Sequence, residues 1–289
     1  MPLDTNTLAL PAARTIADLR VQVAEWRAEG HRIGFVPTMG ALHEGHLSLV
    51  DLAAAHADKV VVSIFVNPTQ FAPNEDLDAY PRTEKEDAEK LAKRPTDLIF
   101  TPSAHEMYPE GDDASVHVEG PSEGLESDAR PHFFGGVATV VTKLFRAVEP
   151  DVAVFGEKDY QQLLVVQKLV RDLGLAIDIV AGPTGREADG LAMSSRNAYL
   201  SGDERNRASQ LYAALNKVAD VIKGGATIDD ARAEGLDILR EAGFDPIDYL
   251  EVRDAETLAP IESASEPARI LAAAKLGTTR LIDNIALDD

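Results

Sequence analysis

Short, nearly continuous apolar runs recur through the first two thirds of the chain, and an amphipathic stretch separates each from the next. The runs are 32–37 "RIGFVP", 59–66 "KVVVSIFV", 97–100 "DLIF", 152–155 "VAVF" and 176–180 "AIDIV". Helical spacing marks 15–29, 45–57, 83–93, 137–147 and 160–173. A strand that is apolar on both faces must be covered on both faces, which is the situation of a parallel sheet flanked by helices. Right-handed crossovers then make it a doubly wound, Rossmann-like α/β sheet, whose ligands sit at the carboxyl ends of the strands. After about residue 186 the texture changes. Helices at 203–222 and 228–242 precede short strands at 247–253, at 269–274 and near 280, the pattern of a smaller α+β domain. Two domains, 1–186 and 187–289, are therefore expected. The acidic, Gly- and Ser-rich stretch 110–128 reads as a surface loop.

Charge narrows the list of partners. Lys and Arg number 28 against 49 Asp and Glu, a formal charge of −21. Such a surface repels a phosphate backbone, so no nucleic-acid partner is expected. An anionic substrate has to be held by a few local cations working against the global field. No window approaches eighteen consecutive apolar residues, so no membrane partner is expected. The first twenty residues lack the basic start and apolar core of a secretion signal. There is no cysteine, which removes disulfides and thiolate metal sites and fits a cytoplasmic location.

Chemistry-bearing residues collect at the expected strand ends. After the first long strand comes "PTMGALHEGH", 37–46, with two glycines and two histidines. Its spacing differs from the zincin pattern H-E-x-x-H, and no cysteine or carboxylate pair nearby completes a zinc set. A phosphate cradle fits better than a merely capped turn. Gly40 and Gly45 allow close backbone approach, and the helix starting near Gly45 directs free N–H groups at an anion. His43 and His46, on one face of its first turn, can donate to a phosphate. Neither a P-loop nor a G-x-G-x-x-G follows a strand, so a nucleotide would have to use this turn.

Three further stretches are suggestive but individually ambiguous. In "FGEKDYQQL", 155–163, Lys158 suits phosphate oxygens, and Gln161 and Gln162 suit a substrate with hydroxyl and carboxylate groups. A solvated loop lysine reads the same way. In "GLAMSSRN", 190–197, Ser194, Ser195 and Arg196 make a polar, cationic loop able to close on a triphosphate, and equally an ordinary capping turn. In "FVNPTQF", 65–71, Asn67 and Gln70 offer amides beside Phe65 and Phe71, although buried amides also serve folds.

Together these stretches, in this order and spacing, resemble the pantoate–β-alanine ligase family. "YPRT" at 80–83 and "LGTTRLIDN" at 276–284 match as well, so the resemblance covers nearly the whole chain. It implies a Rossmann-like fold of the nucleotidyltransferase type, related to class I aminoacyl-tRNA synthetases, with "MSSR" as counterpart of their K-M-S-K-S loop. It also implies ATP-dependent joining of (R)-pantoate to β-alanine with Mg²⁺, through a pantoyl adenylate, releasing AMP and diphosphate. On this resemblance 1–186 binds ATP and pantoate, and 187–289 acts as a lid. ATP falls to Met39, Gly40, Gly45 and His46, to Gly156, Glu157, Lys158 and Asp159, and to Gly185 with Met193, Ser194, Ser195 and Arg196. His46, His43, Lys158 and Arg196 carry the catalytic roles. Gln70 and Gln162, with Asn67, fall to pantoate and β-alanine, Asp87 to the metal, and the family implies a homodimer.

The chain departs from the family pattern twice. "RPHFFGGV", 130–137, puts Phe133 where the family has histidine and His132 one residue early. Lys90 stands where some members have glutamine, and an ammonium cannot ligate magnesium. Two rivals share the histidine turn: a nucleotidyltransferase acting on a phosphorylated acceptor, which would need more cations, and a non-catalytic ATP-binding module. A tRNA synthetase would need a basic RNA face, which a charge of −21 opposes.

Overall fold

The computed structural model describes residues 8–72, 75, 77–263 and 267–287. In chain order the first elements are β1 (Ala12–Ala13), α1 (Ile16–Ala28), β2 (Ile33–Thr38), α2 (Glu44–His56) and β3 (Lys59–Ile64). Next come α3 (Glu84–Leu91), β4 (Leu98–Phe100), α4 (Ala104–Met107), α5 (Glu126–Ala129), α6 (Phe133–Val148), β5 (Val152–Gly156), α7 (Tyr160–Asp172) and β6 (Asp178–Gly182). The chain continues with α8 (Gly202–Ala208), α9 (Gln210–Lys223), α10 (Ile228–Glu241), β7 (Phe244–Asp254), β8 (Ala268–Leu276) and β9 (Thr279–Ala286).

Two compact units arise. One runs to Val118 and takes in Arg130–Glu157 and Val165–Pro183. The other comprises Glu119–Ala129, Lys158–Leu164 and the described residues from Thr184 onward. In the first unit six strands form a parallel sheet in the order β1-β4-β3-β2-β5-β6. The chain builds outward from β2 through β3 to β4, then returns to add β5 and β6 on the other side. The switch in direction therefore falls at β2 and β5, whose carboxyl ends share one edge because Gly34 pairs with Val152 and Phe35 with Ala153. This is the α/β arrangement that the apolar runs imply. Ile33, Phe35 and Val36 of β2 and Val60, Val61 and Val62 of β3 are all at most 1% exposed, which is why these strands lack a polar alternation. Helix α2 lays Leu47, Leu49, Val50 and Ala53 on the sheet beside Val36, Val62 and Val154. Full burial of each larger side chain stabilises by about 2 kcal/mol.

In the second unit α9 and α10 cover an antiparallel sheet ordered β7-β8-β9. Leu211, Leu215, Val218 and Leu239 pack there with Leu250, Ile270 and Leu276.

Three details differ from the sequence reading. The run 203–222 is two helices, because the chain breaks at Ser209 between α8 and α9. The edge strand β1 is two alanines long, too short to register as periodicity. The stretch 110–128 is more than a surface loop. Leu125 and Glu126 are buried, and Gln161 accepts the Glu126 N–H (3.1 Å) while donating to the carbonyls of Pro121 (3.0 Å) and Gly124 (3.2 Å). The reading of the amino terminus falls partly on residues 1–7, outside the described residues.

Candidate active site

In the first unit the turn leaving β2 takes Gly40 to φ +86° and Ala41 to φ +50°. Left-handed backbone at two successive residues swings the chain sharply into α2. His43 is the N-cap of that helix, and its carbonyl accepts the His46 N–H at 2.8 Å. In return the His43 N–H donates to Nδ1 of His46, N···N 3.4 Å. An imidazole that accepts at Nδ1 carries its proton on Nε2 when neutral, so His46 is set as a donor at its far nitrogen. The two rings lie 4.0 Å apart, tilted by 37°. Both side chains are half-buried at the start of a 13-residue helix, where its positive dipole end lies. This arrangement can stabilise negative charge developing on a phosphate.

Asn67 caps the single turn Pro68–Gln70 that follows β3. Its amide is fully engaged: Nδ2 donates to Oε1 of Gln70 (3.2 Å) and to the Gly136 carbonyl (3.3 Å). Its Oδ1 accepts from the Tyr108 hydroxyl (2.8 Å) and the Thr69 hydroxyl (3.0 Å). Asn67, 1% exposed, thus holds Gln70 in place and has little capacity left for a ligand. Gln70 contacts Sδ of Met39 at 3.0 Å, which brings two of the expected residues together. Arg130 donates to the Gln70 carbonyl (3.0 Å) and bonds Glu75 through two nitrogens (2.6 and 2.7 Å). Burial pushes the Glu75 carboxyl up, but the hydrogen bonds and charge of Arg130 more than offset this and hold it below the ordinary value. Tyr108, which no sequence motif marked, joins this network, and burial raises its hydroxyl pKa.

Asp87 is placed differently from the metal role expected of it. Its side chain has no exposure, and its two oxygens accept the N–H groups of Ala41 and Leu42, each at 2.8 Å. The Thr83 hydroxyl adds a third donor at 3.1 Å. Lys90 points its ammonium at the Leu42 carbonyl, 2.6 Å away. Among the described residues no three His, Asp or Glu side chains converge as a metal site. His132 is exposed at the N-cap of α6, and Phe133 stacks under the Arg130 guanidinium at 4.0 Å.

In the second unit Lys158 follows β5 in the turn Glu157–Asp159, and its carbonyl accepts Nδ2 of Asn284 at 2.8 Å. Asn284 in turn accepts Nε of Arg269 at 2.7 Å. The sequence motif containing "LIDN" therefore braces the Lys158 backbone. Gln161 is spent on the 121–126 segment, whereas its neighbour Gln162 is half-buried. Ser194 caps the turn Ser195–Tyr199, accepting the Arg196 N–H at 3.3 Å, and Gly185 accepts the Met193 N–H at 2.8 Å. The same loop is tied down by Arg186, whose guanidinium meets Asp283 at 2.7 and 3.0 Å and lies 3.9 Å over the Tyr212 ring. Burial raises the Asp283 carboxyl pKa against the pull of Arg186.

Residues 12–286 match the family model described as Pantoate-beta-alanine ligase. A pantothenate synthetase of Maricaulis maris is 57% identical over 282 residues, covering 97% of this chain and 98% of that one. One from Rhodopseudomonas palustris is 58% identical over 277 residues, 95% and 98% of the two chains. Among solved structures, pantothenate synthetase from Thermus thermophilus superposes with a TM-score of 0.91 at 46% identity, over 96% of this chain and 99% of that one. The pantoate-beta-alanine ligase of Francisella tularensis, complexed with beta-gamma ATP and beta-alanine, gives 0.81 at 33% identity, over 97% and 99%. Identity above one half along nearly the whole length, with a doubly wound sheet and a histidine turn at its switch point, admits one assignment: the chain belongs to the pantoate–β-alanine ligase family.

Proposed function

We propose that this chain condenses (R)-pantoate with β-alanine, using ATP and releasing AMP and diphosphate. The observation that carries the reading is the H-x-G-H turn, His43 to His46, fixed at the carboxyl end of β2 in a chain of this family. In the first step an oxygen of the pantoate carboxylate attacks the α-phosphorus, and the bond to the bridging oxygen breaks, releasing diphosphate. In the second the β-alanine amine attacks the acyl carbon of the adenylate. The carbon–oxygen bond to AMP breaks and the amine loses its proton.

His46 donates from Nε2 to charge building on the phosphates, and His43 assists from the same helix turn. Lys158 and Arg196 supply cations, with Gly156, Glu157, Asp159, Gly185, Met193, Ser194 and Ser195 completing nucleotide binding beside Met39, Gly40 and Gly45. Loss of one preplaced donor typically costs about 3–4 kcal/mol of transition-state stabilisation. Gln70 and Gln162 bind the pantoate hydroxyl and carboxylate groups, with Gln70 also near β-alanine. Asn67 contributes by holding Gln70. Exclusion of water preserves the labile adenylate, and shared binding of both substrates removes much of the entropic barrier to amide formation.

The donors present do not fit a protein-held magnesium, because the Asp87 carboxylate is buried and already accepts two backbone N–H groups and the Thr83 hydroxyl. We take the metal to arrive with the nucleotide and route no step through it. The family kinship also supports a cytoplasmic homodimer; sedimentation of the purified protein tests the dimer, and cell fractionation the location. Among the described residues no helix is long and apolar enough to cross a membrane.

Diphosphate release from ATP by the purified protein tests the reaction. Pantoate alone should give at most one equivalent per site, and added β-alanine should give sustained turnover. Turnover without pantoate, or indifference to β-alanine, refutes it.

A further inference from the structure

We infer that Asp87 is a positioning residue that clamps the histidine turn and does not ligate a metal ion. The turn in which Gly40 and Ala41 take positive φ brings the successive N–H groups of Ala41 and Leu42 onto one acceptor, as backbone turns do when they bind anions. Here the anion is internal. Each carboxylate oxygen of Asp87 takes one N–H, from Ala41 and from Leu42, at 2.8 Å. Thr83 occupies a further lone pair at 3.1 Å. An ionised carboxylate offers about four acceptor positions, and three are filled by these donors. The Lys90 ammonium lies 3.9 Å from Oδ1 and donates to the Leu42 carbonyl, so α3 grips the turn at an N–H and at a C=O of the same residue.

The clamp is tight from the other side as well. A Cβ on residue 40 would lie 3.1 Å from Oδ2 of Asp87 and 3.1 Å from Ile64, so glycine is needed for the carboxylate to reach. Leu42 precedes the N-cap His43 directly, and the first helical turn carries His46. Any slackness at 41–42 is therefore passed to both imidazoles. A carboxylate without solvent exposure and with three donors cannot also take up a divalent cation with its water shell. Of the acidic residues in the first turn of α3, Glu84, Glu86 and Asp87, only the last is buried.

This inference rests on the proposed role of His43 and His46, so the experiment separates the two. Asp87→Asn keeps one acceptor and presents an N–H₂ group to the second donor, which opens the clamp. Lys90→Met removes the grip on the Leu42 carbonyl and the 3.9 Å ion pair with Asp87, leaves the three donors to the carboxylate in place, and, from a side chain 43% exposed, should keep the fold intact. Full-length proteins are compared by diphosphate release and by calorimetric binding of the β,γ-methylene analogue of ATP in EDTA. Mn²⁺ binding to the nucleotide-free protein is followed by electron paramagnetic resonance.

A misplacement of about 1 Å costs on the order of a hundredfold in rate, so kcat of Asp87→Asn should fall by about that factor. Lys90→Met should lose several-fold. The midpoint for Mg²⁺ activation should stay within twofold of wild type in both, analogue binding in EDTA should weaken, and Mn²⁺ binding should be unchanged. A tenfold rise in the Mg²⁺ midpoint, recovery at high Mg²⁺, or loss of an Mn²⁺ site in Asp87→Asn overturns the clamp in favour of ligation. Wild-type kcat in a folded Asp87→Asn also overturns it. If Asp87→Asn fails to fold, Lys90→Met decides: full activity with wild-type analogue binding counts against the clamp. A wild-type protein without pantoate-dependent diphosphate release would instead refute the proposed reaction.

Discussion

Gly136 sets how closely α6 approaches the turn that carries Gln70, and replacing it by alanine should disturb stability and pantoate use together. The methyl group of Gly136→Ala would stand 2.5 Å from the Thr69 carbonyl oxygen, 2.8 Å from its carbon and 2.9 Å from the Gln70 nitrogen. All three are backbone atoms, so no side-chain rotation relieves the overlap. Ordinary van der Waals contact begins near 3.4 Å, which requires the turn and helix to separate by about 1 Å. Overpacking of this kind typically costs about 1–3 kcal/mol. At about 2–4 °C per kcal/mol for a domain of this size, Tm should fall by roughly 2–12 °C. The separation also stretches the Asn67 bond to the Gly136 carbonyl, now 3.3 Å, and shifts the Gln70 amide. A 1 Å displacement of a substrate-holding group corresponds to about a hundredfold loss, which should appear in kcat/KM for pantoate. Gly135→Ala supplies the control. Its Cβ would meet His117 at 3.7 Å, an ordinary contact, so Tm and kinetics should hold or improve slightly through helix propensity. Equal behaviour of the two variants in thermal melts and initial-rate assays would refute this account of how Gln70 is placed.

His46→Ala should abolish adenylate formation, measured as pantoate-dependent diphosphate release, while a thermal melt stays within about 2 °C of wild type; lost stability with retained rate would make the residue structural. Arg280→Met should destabilise by about 3–5 kcal/mol in urea titrations, because it leaves the Glu126 carboxylate buried without the two 2.8 Å bonds it now receives. Burial alone would lower the Arg280 pKa, but Glu126 and Asp248 outweigh it and keep the guanidinium charged, so this loss should be constant across neutral pH. Glu75→Gln should cost about 2 kcal/mol at pH 7. Because the folded carboxyl titrates below its ordinary value, that difference should persist above the ordinary value and vanish as pH falls through the folded one. A wild-type-minus-variant difference that instead grows on acidification would reverse the assigned sign.

The parts of this molecule that the sequence exposes are those whose cause is local. Strands β2 and β3 are legible because a strand buried on both faces must be apolar at every position, and α2 because its buried residues fall at helical spacing. The histidine turn is legible for the same reason: Gly40, His43 and His46 lie within seven residues of one another. Its clamp is not, since Asp87 lies 45 and 46 positions from the amides it binds, and nothing local in the acidic run separates its buried carboxylate from the exposed one of Glu86 beside it. Resemblance implied a metal role for Asp87; the placement of its two oxygens on the amides of Ala41 and Leu42 is what supports the clamp we infer. The amides make the same point at single-residue resolution. Gln161 and Gln162 are chemically identical neighbours, yet one step along α7 buries Gln161 among the carbonyls of 121–124 and leaves its neighbour half-exposed. Asn67 and Gln70 differ likewise in how much of the amide remains uncommitted, and Tyr108 reaches Asn67 from 41 residues away. In a fold of this kind the groups that meet substrate sit at strand ends and show themselves as motifs. The groups that hold them still arrive from distant elements, so the rigidity of the site is written in long-range pairs that no local pattern records.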